Sequence, residues 1–277
     1  METIKTHRTF GGELRYVRHD SSACRVPMEF TIFLPEAALR GEKRPVLYFL
    51  SGLTCTAENF TVKAGAYRYA AEHGLVIVAP DTSPRGDGVA NDERYFVGQG
   101  AGFYVNATEA PWSAHFRMED YVVRELPSLV EAEFPVTSAR GITGHSMGGH
   151  GALVLALRHP GTYRSVSAFS PIASASNCPW GRAALGAYLG DDVEAHRAYD
   201  AAVLVEKAEE RLPILVDQGT ADEFLADQLK PELLREACAR AGHPLELRMR
   251  EGYDHSYFFV STFIGEHVAH HAQALVS

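Results

Sequence analysis

The chain is built from short apolar runs separated by glycine, proline and acidic residues. Glu13–Arg18 and Met28–Leu34 are predicted strands, the second rich in Phe, Ile and Thr. A polar turn at Arg40–Pro45 follows them. Val46–Leu50 and Leu75–Ala79 are continuously apolar, as parallel strands buried on both faces should be. Between them a helix is predicted over Gly65–Glu72, stopped at Gly74. Residues Asp81–Pro111 carry many Gly, Asp and Asn and read as a long loop, a length often kept for function. Helical spacing returns from about Met118 to Val130, and Arg140–Thr143 is a short strand. His150–Arg158 is a helix ended by Pro160, and Ser165–Phe169 a strand. Pro171–Val205 is irregular and is expected to sit over the sheet as a cap-like insertion. Ile214–Asp217 and Leu245–Arg250 are strands, Ala226–Ala241 an amphipathic helix ended by Gly242, and Tyr257–Leu275 a closing helix. Strand and helix thus alternate after an early hairpin. That order predicts an α/β fold, with a mostly parallel central sheet and helices on both faces.

Composition narrows the partners rather than the fold. At 277 residues, with 46% hydrophobic and 22% charged, the chain suits one α/β domain over residues 1–277 with a sizeable core. The net charge of −9 and the absence of Lys/Arg clusters argue against nucleic acid. No run has signal-peptide or membrane-span character, so a cytoplasmic protein without a membrane partner is expected. Cys24, Cys55, Cys178 and Cys238 match no zinc or CxxC spacing and read as free thiols. The sequons at Asn59 and Asn106 then read as chance matches.

The strongest local signal is Gly144-His145-Ser146-Met147-Gly148, the G-x-S-x-G nucleophile elbow. A strand precedes it and an apolar helix follows, which is the context the motif requires. Ser146 is the candidate nucleophile, and the Met147 N–H points where an oxyanion would form. A serine hydroxyl needs a general base, and the base an orienting carboxylate, in the chain order Ser, Asp or Glu, His. Asp217 at a strand end and Asp222 in the loop beyond it compete for the acid; Asp222 is favoured because a loop residue reaches across. His255 follows the last strand, where the base belongs. His145 and His150 precede the acid, against that order. His267, His270 and His271 lie close together on the last helix and read as a solvated face, not a metal site. The loop Ser51-Gly52-Leu53-Thr54-Cys55 follows an early strand and offers the Leu53 N–H as second oxyanion donor.

Several segments together resemble the S-formylglutathione hydrolase (esterase D) family, whose fold is that of the α/β-hydrolases. They are SGLTC at 51–55, GAGFYVNAT at 100–108, GHSMGGHGAL at 144–153, CPWG at 178–181, DQGTAD at 217–222 and GYDHSYFF at 252–259. They span nearly the whole chain, and the last two select Asp222 and His255. The resemblance implies a serine hydrolase that cleaves S-formylglutathione to glutathione and formate in formaldehyde detoxification. It also implies action on simple carboxyl esters, no metal or organic cofactor, and a homodimer. It places Cys55 beside the active site, not as nucleophile. Phe103, Tyr104 and Trp180 are candidates for a tight acyl pocket, or else for core packing. Asn106 stands where the family often has Asp, which bears on charge near that pocket. Lys63 and Arg85 fall in expected loops and read as solvated. A general short-chain carboxylesterase would share every catalytic residue. An acyltransferase would differ only in its acceptor, and a noncatalytic binding module would be expected to lack part of the triad.

Overall fold

The computed structural model describes residues 1–276. Nine strands form one sheet: β1 (Glu2–Thr9), β2 (Gly12–Asp20), β3 (Pro27–Leu34), β4 (Arg44–Leu50), β5 (Val76–Pro80), β6 (Val136–Gly144), β7 (Ser165–Phe169), β8 (Ile214–Gly219) and β9 (Leu245–Arg250). Their spatial order is β1-β2-β3-β5-β4-β6-β7-β8-β9. The pairings up to β3–β5 are antiparallel, and those from β5 through β9 are parallel.

The apolar runs in β4 and β5 are continuous because each feeds two core layers. Val46, Tyr48 and Leu50 enter one layer, and Leu47 and Phe49 the other. Alternate residues of a strand point to opposite faces, so only an unbroken apolar run fills both. The helix Met147–Arg158 brings Leu153, Val154 and Leu155 to the first layer. The helix Tyr257–Leu275 brings Phe259, Val260, Ile264 and Val268 to the second. No helix among the described residues is long and apolar enough to cross a membrane.

Four features depart from the sequence pattern. β1 was not foreseen: its side chains are almost all exposed, so it carries no apolar alternation and is held by backbone pairing with β2. The helix Ala57–Lys63 was also missed; Thr56 and Asn59 cap its start reciprocally, a Thr-x-x-Asn version of the capping box. The helix expected over Ala226–Ala241 is two pieces, a π-helical turn at Leu225–Leu229 and a helix at Pro231–Ala241. Lys230 between them is left-handed (φ 49°), and Pro231, lacking an N–H, starts the second piece. Finally, His267 and His271 are fully buried rather than solvated.

The segment 171–205 contains the helices Pro179–Leu189, Val193–Arg197 and Ala201–Lys207. Its Leu185, Tyr188, Ala201 and Val205 are buried in the first core layer. Tyr188 also orders the long loop, its hydroxyl accepting from Gly98 N at 2.7 Å and donating to Ala101 O at 2.7 Å.

Candidate active site

β6 ends at Gly144 and the next helix begins at Met147, so the chain turns within two residues. Ser146 takes the strain, with φ 59° and ψ −121°, a conformation that costs a non-glycine residue about 1–3 kcal/mol and clusters at active sites. Hydrogen bonds hold the turn in place: His145 N–H to Leu50 O and Ser146 N–H to Phe169 O, both 3.0 Å. The flanking glycines are required by space. A Cβ on Gly148 would lie 2.0 Å from Leu50 O, and one on Gly144 2.3 Å from Gly148 O.

The acid and base come from loops after β8 and β9. The two loops are joined by hydrogen bonds from Thr220 N–H to Arg250 O and from Ala221 N–H to Tyr253 O. Across this junction His255 Nδ1 lies 2.6 Å from Asp222 Oδ2. The Asp222 side chain is 0% exposed and that of His255 14%, so the pair is shielded while the imidazole still reaches the cavity. Asp222 also accepts from Phe224 N–H at 2.9 Å and from Gln218 Nε2 at 3.2 Å. Those donors fix the carboxylate's orientation. Nδ1 is thus engaged with Asp222, and Nε2 remains for the cavity. Ser146 and His255 both line that cavity, which has a volume of about 750 Å³. No hydrogen bond joins their side chains in this geometry; such contacts are often long before substrate binds and tighten in the reacting complex.

Asp217 is occupied elsewhere. Its Oδ2 lies 2.9 Å from Arg250 Nη2 and 3.6 Å from His267 Nε2, in a fully buried position. Burial alone would raise this carboxyl, but His267 and Arg250 outweigh it and hold it below its ordinary range.

The whole chain is similar to known esterases. The Putative esterase family model matches residues 21–270. The S-formylglutathione hydrolase of Agrobacterium tumefaciens is 46% identical, over 99% of this chain and 100% of that one, with a TM-score of 0.97. The chain belongs to the S-formylglutathione hydrolase family of esterases. More distant structures share the fold alone. A fluorophosphonate-binding serine hydrolase of Staphylococcus aureus is 20% identical, over 94% of this chain and 98% of that one, at a TM-score of 0.76. A ferulic acid esterase of Anaeromyces mucronatus is 17% identical, over 99% and 93%, at 0.67.

Neither the Leu53 N–H nor the Met147 N–H, the two expected oxyanion donors, has a backbone acceptor among the described residues. Gly52 brings the first of them close: a Cβ there would sit 3.1 Å from Ser146 Cβ. The loop is braced from below, where Tyr104 Oη donates to Ser51 O at 2.8 Å and Thr54 N–H donates to Gly100 O at 2.8 Å. Arg85 also braces it, bonding Asp81 and donating to Cys55 O at 2.8 Å, so it is not a solvated cation.

Cys55 and Trp180 line the cavity, but Phe103 and Tyr104 do not. Phe103 is fully buried, edge-on to His150 at 5.8 Å. Tyr104 is packed so tightly that a Cβ on Gly151 would lie 2.4 Å from its ring. Burial raises the Cys55 thiol, so it is a neutral thiol at pH 7 and not an activated nucleophile. Asn106 is absent from the cavity lining; its Oδ1 accepts from Asp120 N–H at 3.1 Å, a bond an Asp could also make.

Three neighbours of the site carry no local sequence signal. Phe224 stands edge-on to His255 at 5.0 Å and tilted against Trp180 at 4.8 Å, forming an aromatic wall. Gln218 lies on β8 inside DQGTAD, where only the tertiary fold aims its amide at Asp222. Lys63 ends the helix Ala57–Lys63 and lines the cavity. His145 packs against His255 at 4.6 Å between ring centroids. Burial, then the neighbouring His255, pushes His145 well below its ordinary pKa, so it stays neutral beside an imidazole that must accept a proton.

Proposed function

We propose that this chain hydrolyses the thioester S-formylglutathione to glutathione and formate through a formyl-enzyme on Ser146. The observation that carries the reading is one cavity lined by a strained serine, a carboxylate-held imidazole and the Leu53 loop. Family membership at 46% identity to an S-formylglutathione hydrolase supports the substrate.

Ser146 Oγ attacks the thioester carbon as His255 Nε2 takes its proton. Asp222 keeps the opposite nitrogen protonated and stabilises the imidazolium. The N–H groups of Leu53 and Met147 bind the oxyanion, each donor contributing about 3–4 kcal/mol in related hydrolases. The tetrahedral intermediate collapses, the C–S bond breaks, and His255 returns the proton to the leaving thiolate. Water, deprotonated by His255, then attacks the formyl ester and releases formate with Ser146 restored. The same machinery acts on short carboxyl esters.

Steady-state hydrolysis of S-formylglutathione beside a short-chain aryl ester tests this, with wild type and Ser146→Ala. The expected result is a much higher kcat/KM for the thioester and loss of both activities in the variant. Preference for the ester would make the protein a carboxylesterase; activity persisting in the variant would remove Ser146 as nucleophile. We extend the reading to formaldehyde detoxification in the cytoplasm, on the family likeness alone. Unchanged formaldehyde tolerance after deletion of the gene would refute that extension.

A further inference from the structure

We propose that Lys63 and Asn59 form an anion-binding subsite in the cavity wall that holds a carboxylate of the leaving group. The assignment to glutathione rests on the function proposed above. Residues 59 and 63 are one helical turn apart on the helix Ala57–Lys63, and both line the cavity. A pair at i and i+4 presents its side chains on one face.

The chemistry of the pair is fixed by its surroundings. Asn59 Oδ1 accepts from Thr56 N–H at 2.9 Å in the helix cap. That bond sets the amide orientation and leaves Nδ2, with two N–H donors, unused by the cap. Lys63 has no carboxylate partner among the described residues. Its ammonium lies 6.0 Å from the centroid of the Tyr257 ring, and Tyr257 packs 5.6 Å from His145 beside the base. The cavity therefore offers an ammonium and amide donors on one wall.

The charge balance is the second observation. The protein carries a net charge of −9, yet among the described residues no Asp or Glu lines this cavity and Lys63 is the one Lys or Arg that does. An acidic protein thus keeps a cationic wall beside its reacting serine. Glutathione carries two carboxylates, the glycine one about one residue-length (roughly 3.5 Å) past the cysteinyl unit and the γ-glutamyl one about two residue-lengths (roughly 7 Å) from it. That separation puts a carboxylate at a wall other than the elbow while sulfur is at Ser146. A formyl group is too small to supply recognition, so a tag on the leaving group is where selectivity can be built.

The test compares kcat/KM in two substrate pairs at low and high salt. One pair is S-formylglutathione and the formyl thioester of 2-mercaptoethanol. The other is 4-acetoxybenzoate, which is anionic, and the neutral 4-nitrophenyl acetate. The variants are Lys63→Glu, Lys63→Gln and Asn59→Asp, the last keeping the oxygen that caps the helix. The expected result is an anionic-to-neutral ratio that falls about tenfold in Lys63→Glu at low salt. The fall should be smaller in Lys63→Gln, appear mainly in KM, and shrink as salt rises. A ratio unchanged in all three variants, or equal losses on both members of each pair, overturns the subsite. If wild type fails on S-formylglutathione, the proposed substrate falls, and the ester pair still decides whether the wall binds anions.

Discussion

Lowering the pH from 7 to 5 loads the unfolded chain with a proton that the folded chain refuses at His150. This residue lies on the helix Met147–Arg158, fully buried, with neither ring nitrogen hydrogen-bonded. Burial pushes its pKa down from 6.5 to about 4, with the Asp200 charge and the Phe103 backbone offsetting only part. In the unfolded state the imidazole titrates near its ordinary value of about 6.5. Between these two values the unfolded state binds more protons, so stability is full above about pH 6.5 and falls as pH drops toward 4. At pH 5 the unfolded imidazole is almost fully protonated and the folded one mostly neutral. Linkage then gives a loss of about 2 kcal/mol relative to pH 7. Equilibrium urea unfolding of wild type and His150→Leu at both pH values isolates this effect, because other titrating groups are common to both proteins. Wild type should lose about 2 kcal/mol more than the variant between pH 7 and pH 5. A stability difference between the two proteins that is the same at both pH values, within ~0.5 kcal/mol, would refute the reasoning.

Two further expectations separate catalysis from stability. Asp222→Asn should lower kcat by about 10⁴-fold with little change in Tm, whereas Asp217→Asn should leave kcat nearly intact and lower stability by ~2 kcal/mol, since it removes a buried charged partner of Arg250 and His267 while Glu266 still pairs Arg250; kinetics and thermal melts on both variants check this, and the reverse pattern would overturn the assignment. Gly148→Ala drives a Cβ to 2.0 Å from Leu50 O, so it should destabilise the fold by about 3 kcal/mol and abolish turnover; a variant with wild-type Tm and activity would show that the elbow is looser than its geometry implies.

Much of this architecture is legible along the chain, because the features concerned depend on neighbours in sequence. Buried parallel strands must be apolar on both faces, so β4 and β5 stand out as unbroken runs. The elbow announces itself because only glycine fits at 144 and 148. Leu245–Arg250 and Tyr257–Leu275 were bounded correctly by their periodicity and flanking residues. Where no apolar pattern is needed, the signal vanishes. β1 is an exposed edge strand, and its pairing uses backbone groups that every residue carries. The break at Lys230 was readable in principle, since Pro231 disfavours a helical residue before it.

The site divides in the same way. Ser146 and the order of acid and base belong to the sequence. Position along the chain favoured Asp222 without excluding Asp217, and the family likeness chose between them. In the fold, Asp222 meets His255 while Asp217 turns to Arg250 and His267. That difference depends on how the loops after β8 and β9 are stitched, a contact between residues more than thirty positions apart. The buried Ser165–His271–Ser167–His267 chain beneath the sheet was likewise invisible, because a histidine's burial is set by what packs over it. Phe224, Gln218 and Lys63 enter the site for the same reason. A linear pattern records which side of its own element a residue takes; which distant groups that side will face is decided only when the elements pack.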